Sequence, residues 1–191
     1  MNRAGLALAL LLLAPHLAAA QDRPVTQPTR DVDVTYRATI GGKPVEQRTR
    51  TRAGAAEIRI DTPSPGLWIV LDRAAGTMDM VSDADRGVVQ LPYDPARAAG
   101  PAETAAFQRL GSDTVAGLSY TEWATTDTAG HPVDACFTAD GVLLRARAGA
   151  TVLVQAARVV YGKLDPALFT VPAGYNRTVA PAPPAAPAKA P

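Results

Sequence analysis

Period-two alternation runs through most of this chain. In "DVDVTYRATI" (31–40), Val32, Val34, Tyr36, Ala38 and Ile40 fall on one side of an extended backbone. Asp31, Asp33, Thr35, Arg37 and Thr39 fall on the other. That is the pattern of a strand with one buried face. Gly41-Gly42 supplies a two-residue hairpin turn, and "KPVEQRTRTR" (43–52) runs back. Pairing Ile40 with Lys43 sets Arg37 against Glu46, Asp33 against Arg50 and Asp31 against Arg52. Opposite charges in one register mark a solvated face, each pair contributing about 0.2–1 kcal/mol. They also make the "RTRTR" run a salt-bridged strand face rather than a patch for nucleic acid or lipid headgroups.

Short strands follow at meander spacing: "AEIRID" (56–61), "LWIVLD" (67–72), "TMDMVS" (77–82) and "GVVQLP" (87–92). The links "RAAG" and "DADR" are too short for parallel crossovers. The rhythm then changes. Ala105, Ala106, Phe107 and Leu110 are helix-spaced, with Glu103 in the first turn and Gly111 as a stop, so one short helix is expected at about 101–110. Strands resume with "SDTVAGLSYTEWATTD" (112–127), read as one long strand, then "PVDACFT" (132–138), "VLLRARA" (142–148) and "TVLVQAARVVYG" (151–162). A closing segment (163–175) carries Leu168, Phe169 and Val171 as apolar plugs.

The stretch His131–Gly149 gathers the chain's one cysteine with a histidine, two acids and two arginines. With Asp140-Gly141 as the turn, Ala139 pairs with Val142 and Phe137 with Leu144. Cys136 then faces Arg145, and Asp134 faces Arg147. A nucleophilic thiol needs a base within about 3 Å. His131 lies at the far end of the strand from Cys136, some 16 Å off at about 3.3 Å per residue. The residues therefore read as a hairpin with a polar face and no catalytic dyad.

The ends set the compartment. Arg3, the apolar run Leu6–Ala14, and Ala18 and Ala20 before Gln21 form a signal-peptide pattern, with cleavage expected at Ala20-Gln21. No arginine pair precedes the run, and no cysteine follows the cleavage site. No other apolar run reaches membrane-spanning length. The expected product is a soluble periplasmic or secreted protein. Residues 21–29 form an N-terminal extension, 30–176 one domain, and 177–191 a disordered Ala/Pro-rich tail. Mature positive and negative charges balance at 18 each, since 19 Lys+Arg less Arg3 meets 18 Asp+Glu. That speaks against nucleic acid as a partner. One cysteine permits no internal disulfide, so stability rests on the core.

Other chemistry is thin. "DADRG" (83–87) resembles part of a calcium loop but lacks the terminal Glu, and is a turn. Asn176-Arg177-Thr178 matches a glycosylation triplet, a three-residue signal of little weight. There is no CxxC, HExxH, phosphate loop or GxSxG, and no metal or cofactor is expected. Trp68 and Trp123 read as core residues.

"GLSYTEW" (117–123), "ACFTADGVLLRA" (135–146) and the closing Phe169, Pro172, Gly174, Tyr175 phrase resemble the LolA/LolB-like class of periplasmic lipoprotein carriers. The resemblance spans about residues 30–176. It implies an α+β, mostly β fold: a curved antiparallel half-barrel of about ten meandering strands, with one short helix packed in the concave side. It implies an apolar cavity there. With the alternations phased as above, the lining is Val34, Tyr36, Ile58, Ile60, Met78, Met80, Phe107, Leu110, Phe137 and Leu144. The expected function is non-enzymatic binding of an apolar ligand such as a lipid or lipoprotein acyl chain. The alternative is a structural or protein–protein interaction module of the envelope with a filled core. A hydrolase ranks last.

Overall fold

The computed structural model describes residues 23–40, 42–94 and 105–181. Twelve strands form one sheet: β1 (Val32–Ile40), β2 (Lys43–Arg52), β3 (Glu57–Asp61), β4 (Leu67–Asp72), β5 (Thr77–Ser82), β6 (Gly87–Pro92), β7 (Gln108–Val115), β8 (Leu118–Thr126), β9 (Pro132–Phe137), β10 (Leu143–Ala148), β11 (Thr151–Tyr161) and β12 (Asn176–Val179). Their order is β12-β6-β5-β4-β3-β2-β1-β11-β10-β9-β8-β7. Two meanders, β1–β6 and β7–β11, join where β1 pairs with β11. All neighbours are antiparallel except β12, which adds parallel to β6.

The first hairpin takes the register that alternation predicts: Ile40 opposite Lys43, Arg37 opposite Glu46, Asp33 opposite Arg50. The predicted Asp31–Arg52 pair does not form. Asp31 instead accepts from the backbone N–H groups of Ala53 (3.0 Å) and Leu164 (3.1 Å), while Arg52 pairs with Glu57. The supposedly solvated face is also partly covered. Arg50 is 8% exposed and lies between Asp33 (3.3 Å) and Asp61 (2.5 Å). Register carries this face across the next strands: Arg50 lies opposite Arg59, Arg59 opposite Val70, Asp61 opposite Trp68, and Trp68 opposite Val81.

What covers that face is the closing segment. Its 3₁₀ turn Pro166–Phe169 is capped by Asp165, whose side chain accepts from Ala167 N–H. Arg59 donates to Leu168 O at 2.8 Å and lies 4.0 Å over the Trp68 ring. Arg52 lies over the Phe169 ring. Val171 and Tyr175 then pack on Trp68, Val70, Val81 and Val88. Asp83 fastens the end, accepting from Trp68 Nε1 (2.9 Å) and the Tyr175 hydroxyl (3.1 Å).

Four further expectations need correction. The helix at about 101–110 is not found. Residues 101–104 lie outside the described residues, 105–107 have no regular structure, and 108–110 begin β7. One apolar turn is too little to hold an isolated helix, and pairing with β8 satisfies the backbone instead. The long strand at 112–127 is two strands, broken at Ala116-Gly117, where both residues have positive φ (51° and 76°). That is the conformation of a tight hairpin turn, hidden because alanine rarely adopts it. The β9–β10 loop holds three residues, with Thr138 opposite Val142, and Phe137 lies opposite Leu143 with a bulge at Leu144. Finally, β12 extends three residues into the stretch expected to be disordered, tied down by Arg177–Asp79 at 2.7 Å.

The N-terminal segment crosses one end of the sheet as a strap. Thr29 N–H donates to Asp140 O (2.9 Å), and Arg30 holds the Asp140 carboxylate through Nε (3.0 Å) and Nη2 (2.8 Å). Gly141, at φ +90°, has no room for a side chain, since a Cβ there would collide with the Gln27 carbonyl. The Gln27 side chain meanwhile accepts from Arg73, just past β4. β4 and β10 are five strand steps apart, which is about 24 Å in a flat sheet at 4.7–4.9 Å per step. Gln27 links the Arg73 and Gly141 turns across that span, its side chain reaching one and its backbone carbonyl the other.

Two outcomes follow from this packing. Arg50→Ala should destabilise the fold by about 1–2 kcal/mol, because it removes a buried side chain and the cation shared by two carboxylates, each of which keeps one other arginine. Arg37→Ala, on an exposed residue, should change stability by under about 0.5 kcal/mol. Urea melts of the two variants measure both. Burial alone would raise the carboxyl of Asp33, but Arg48 and Arg50 outweigh it and hold it below the ordinary value. Asp140 behaves the same way, with burial outweighed by Thr138, Arg30 and Tyr161. A depressed carboxyl stabilises the fold above its unfolded pKa and ceases to as pH falls through its folded one. Thermal midpoints should therefore be flat above about pH 5 and fall below about pH 4.

Candidate functional site

The other face of β3–β6 carries the site. Cross-strand register sets two rows. One runs Ile60, Ile69, Met80, Val89, and the other Ile58, Leu71, Met78, Leu91. Leu67 extends the same side of β4. No charged residue falls on this face within β3–β6. The charges of these strands, Glu57, Arg59, Asp61, Asp72 and Asp79, all fall on the face covered by the closing segment. Exposure follows the same division. Trp68, Val70, Val81 and Val88 are 2–7% exposed, whereas Leu67, Met80 and Val89 are 43–47% exposed. The remaining side chains of the two rows are half-buried.

Expected cavity residues fall into separate groups. Ile58, Ile60, Met78 and Met80 share the open apolar face. Val34 lies in line with Ile60 and Met80 through Thr49, but is 2% exposed, in a cluster with Val32, Leu144 and Ala156. Tyr36 borders that cluster and donates to Leu143 O at 2.9 Å. Phe137 belongs to an aromatic cluster with Trp123, and Phe107 meets Trp123 edge-on at 6.2 Å. Leu110 stands apart, 49% exposed at a bulge of β7. Sequence reasoning did not single out Leu67, Ile69, Leu71, Val89 and Leu91. Alternation in "GVVQLP" could have flagged Val89 and Leu91, but "LWIVL" is apolar at every position and has no readable phase. Two surface hollows lie elsewhere, one of about 320 Å³ beside Arg37 and Gln155, the other of about 440 Å³ beside Arg30, Tyr161 and Lys163.

At the rim of the open face, Arg73 continues the alternation of Leu67, Ile69 and Leu71, and its N–H extends the ladder to Ala56 O at 3.1 Å. Its guanidinium donates to the Gln27 amide oxygen. Among the described residues it has no carboxylate partner.

The β8–β10 polar face is an ion-pair network. Glu122 takes Arg147 (3.0 Å) and Arg145 (3.5 Å), Arg147 also reaches Asp134 (3.2 Å), and Arg145 donates to the Tyr120 hydroxyl (2.7 Å). Cys136 is fully buried beside Glu122 at 3.7 Å. Burial, helped by the Glu122 charge, pushes its thiol pKa up against the pull of Arg145, the opposite of an activated nucleophile. His131 bonds Asp127 at 3.1 Å in the β8–β9 turn. No cluster of three or more metal-ligating side chains occurs among the described residues. No helix among them is long and apolar enough to cross a membrane.

No known family model matches the chain, and no curated protein matches it. Solved structures share its fold. An uncharacterised conserved protein from Thermus thermophilus is 13% identical, with a TM-score of 0.59 over 80% of this chain and 91% of its own. MucB is 16% identical, with a TM-score of 0.53 over 78% of this chain and 59% of its own. MucB in the Pseudomonas aeruginosa MucA/MucB complex gives 0.52 at 16% identity, over 75% and 56%. The chain thus spans a little over half the length of the MucB structures. At these identities the likeness establishes the fold alone.

The two faces of β4–β6 should respond differently to a charge. Met80→Asp should cost under about 1 kcal/mol, since the site is already wet. Val81→Asp, one residue on and 2% exposed, should cost several kcal/mol through an unpaired buried charge. Chemical denaturation of both variants measures the difference, and equal losses would mean the two faces are equally buried.

Proposed function

We propose that this is a non-enzymatic periplasmic binding module of the LolA/LolB-like half-barrel kind, which takes an apolar ligand on the face of β3–β6. The carrying observation is the division of those strands into a charged, covered face and an uncharged, exposed one. Contiguous exposed apolar area of this kind marks binding surfaces in soluble proteins. Met78 and Met80 suit a ligand of variable shape, because the thioether chain is flexible and polarisable. The link that Gln27 makes between the Arg73 and Gly141 turns, five strand steps apart, supports a concave surface. The signal-peptide pattern of residues 1–20 supports export.

A second reading has its own support. MucB has been solved in complex with MucA, so this fold presents a surface to a protein in at least one case. On that reading the same face receives an apolar segment of an envelope protein.

Mass spectrometry of the protein purified from a native periplasm tests both. Co-purified lipid that Met80→Asp removes supports the apolar-ligand reading. A stoichiometric protein partner lost in the same variant supports the second. A Met80→Asp protein that keeps whatever the wild type carries rules out this face as the site.

A further inference from the structure

We infer that the rim of the apolar face selects a single-chain amphiphile with a carboxylate head, Arg73 holding the carboxylate and the β3–β6 face its alkyl chain. This rests on the apolar-ligand reading above and names the ligand class. Arg73 follows Leu71 on the same side of the chain, directly beyond the row Ile58, Leu71, Met78. A head bound there leaves its tail one path without charges, across that row towards Met80. In the present structure the guanidinium donates to the neutral amide oxygen of Gln27. That oxygen occupies the position a carboxylate oxygen would take. The Arg73–Gln27 bond carries a charge on its donor alone; a carboxylate adds the opposite charge and accepts two parallel N–H groups, so it replaces the amide at a gain. One guanidinium, with no second cation bonded beside it among the described residues, matches a single negative charge. A phosphate dianion calls for more. The absence of acids from this face removes the repulsion a carboxylate would otherwise meet.

Isothermal titration of the full-length mature protein with laurate and with dodecyl maltoside, both below micelle formation, tests this. The two probes share a twelve-carbon tail and differ in head charge. Laurate should bind about tenfold more tightly than the maltoside. Arg73→Gln should abolish that preference and leave maltoside binding unchanged. Gln27→Ala should retain or strengthen it, because only the neutral competitor is lost. Arg37→Gln, a charge removed from the exposed opposite side of β1, controls for net charge and should preserve the preference. Thermal melts confirm that each variant is folded. Equal affinity for the two probes in the wild type overturns the proposal while leaving the apolar-ligand reading standing, as does a laurate preference that survives in Arg73→Gln. Binding of neither probe overturns both.

Discussion

The packing of residues 163–175 onto Trp68, Val70, Val81 and Val88 decides which side of the first meander is left open. A sheet has two faces and this chain has one closing segment. Asp83 fixes that segment by accepting from both Trp68 and Tyr175, and Arg59 fixes its other end by donating to Leu168 O. Both anchors lie on the face that also carries the arginines and aspartates of β2 and β3. The apolar cover therefore lies on the more polar face. The uniformly apolar face, Ile58 to Leu91, receives none of it. That inversion leaves the apolar face uncovered, as the proposed binding surface requires.

The charged face tolerates its cover because its charges are already satisfied. Arg50 is shared between Asp33 and Asp61, Arg48 also holds Asp33, and Arg59 also holds Asp61. A buried charge lacking its partner would cost several kcal/mol, and a network with each member bonded avoids that. The guanidinium planes then serve as surfaces in their own right. The Arg59 guanidinium carbon lies 4.0 Å from the centre of the Trp68 ring, and Arg52 sits over Phe169. Polar and apolar packing are continuous here, so the closing segment meets a firm, stacked platform.

How much of this was legible in the sequence depended on whether the deciding force was local. The β1–β2 register could be read because Asp33 and Arg50 sit in a strict alternation bounded by a glycine turn. β3 to β6 were placed within a residue because short turn-forming links bound each of them. The break at Ala116-Gly117 was invisible, because alanine at positive φ is held by pairing on both sides and not by its own preference. The bulge at Leu144 could not be read because Asp140-Gly141 signals a two-residue turn, whereas the β9–β10 loop takes three residues beside Gln27. Phe107 and Leu110 looked helical because their spacing fits a helix turn, yet β8 offered backbone partners. The open face itself was half legible. Ile58, Ile60, Met78 and Met80 were grouped by alternation. "LWIVL" gave no phase, and which of its sides is covered is settled only by a segment about a hundred residues later.

An open apolar face carries a risk of self-association, and the sheet's edges show how the two hazards are kept apart. An unpaired edge invites a further strand. β7, at one end, is interrupted by the bulge at Leu110 and by Gly111, which bends the edge and breaks its ladder. β12, at the other, is four residues long, its Arg177 bonded across to Asp79. Neither edge offers the long flat template that strand addition needs. A molecule bound on the proposed β3–β6 face would therefore be met through side chains. On the reading proposed above, selection there falls to shape, apolar area and the charge at Arg73, with no backbone pairing to blur it. That favours a flexible apolar ligand over an added strand.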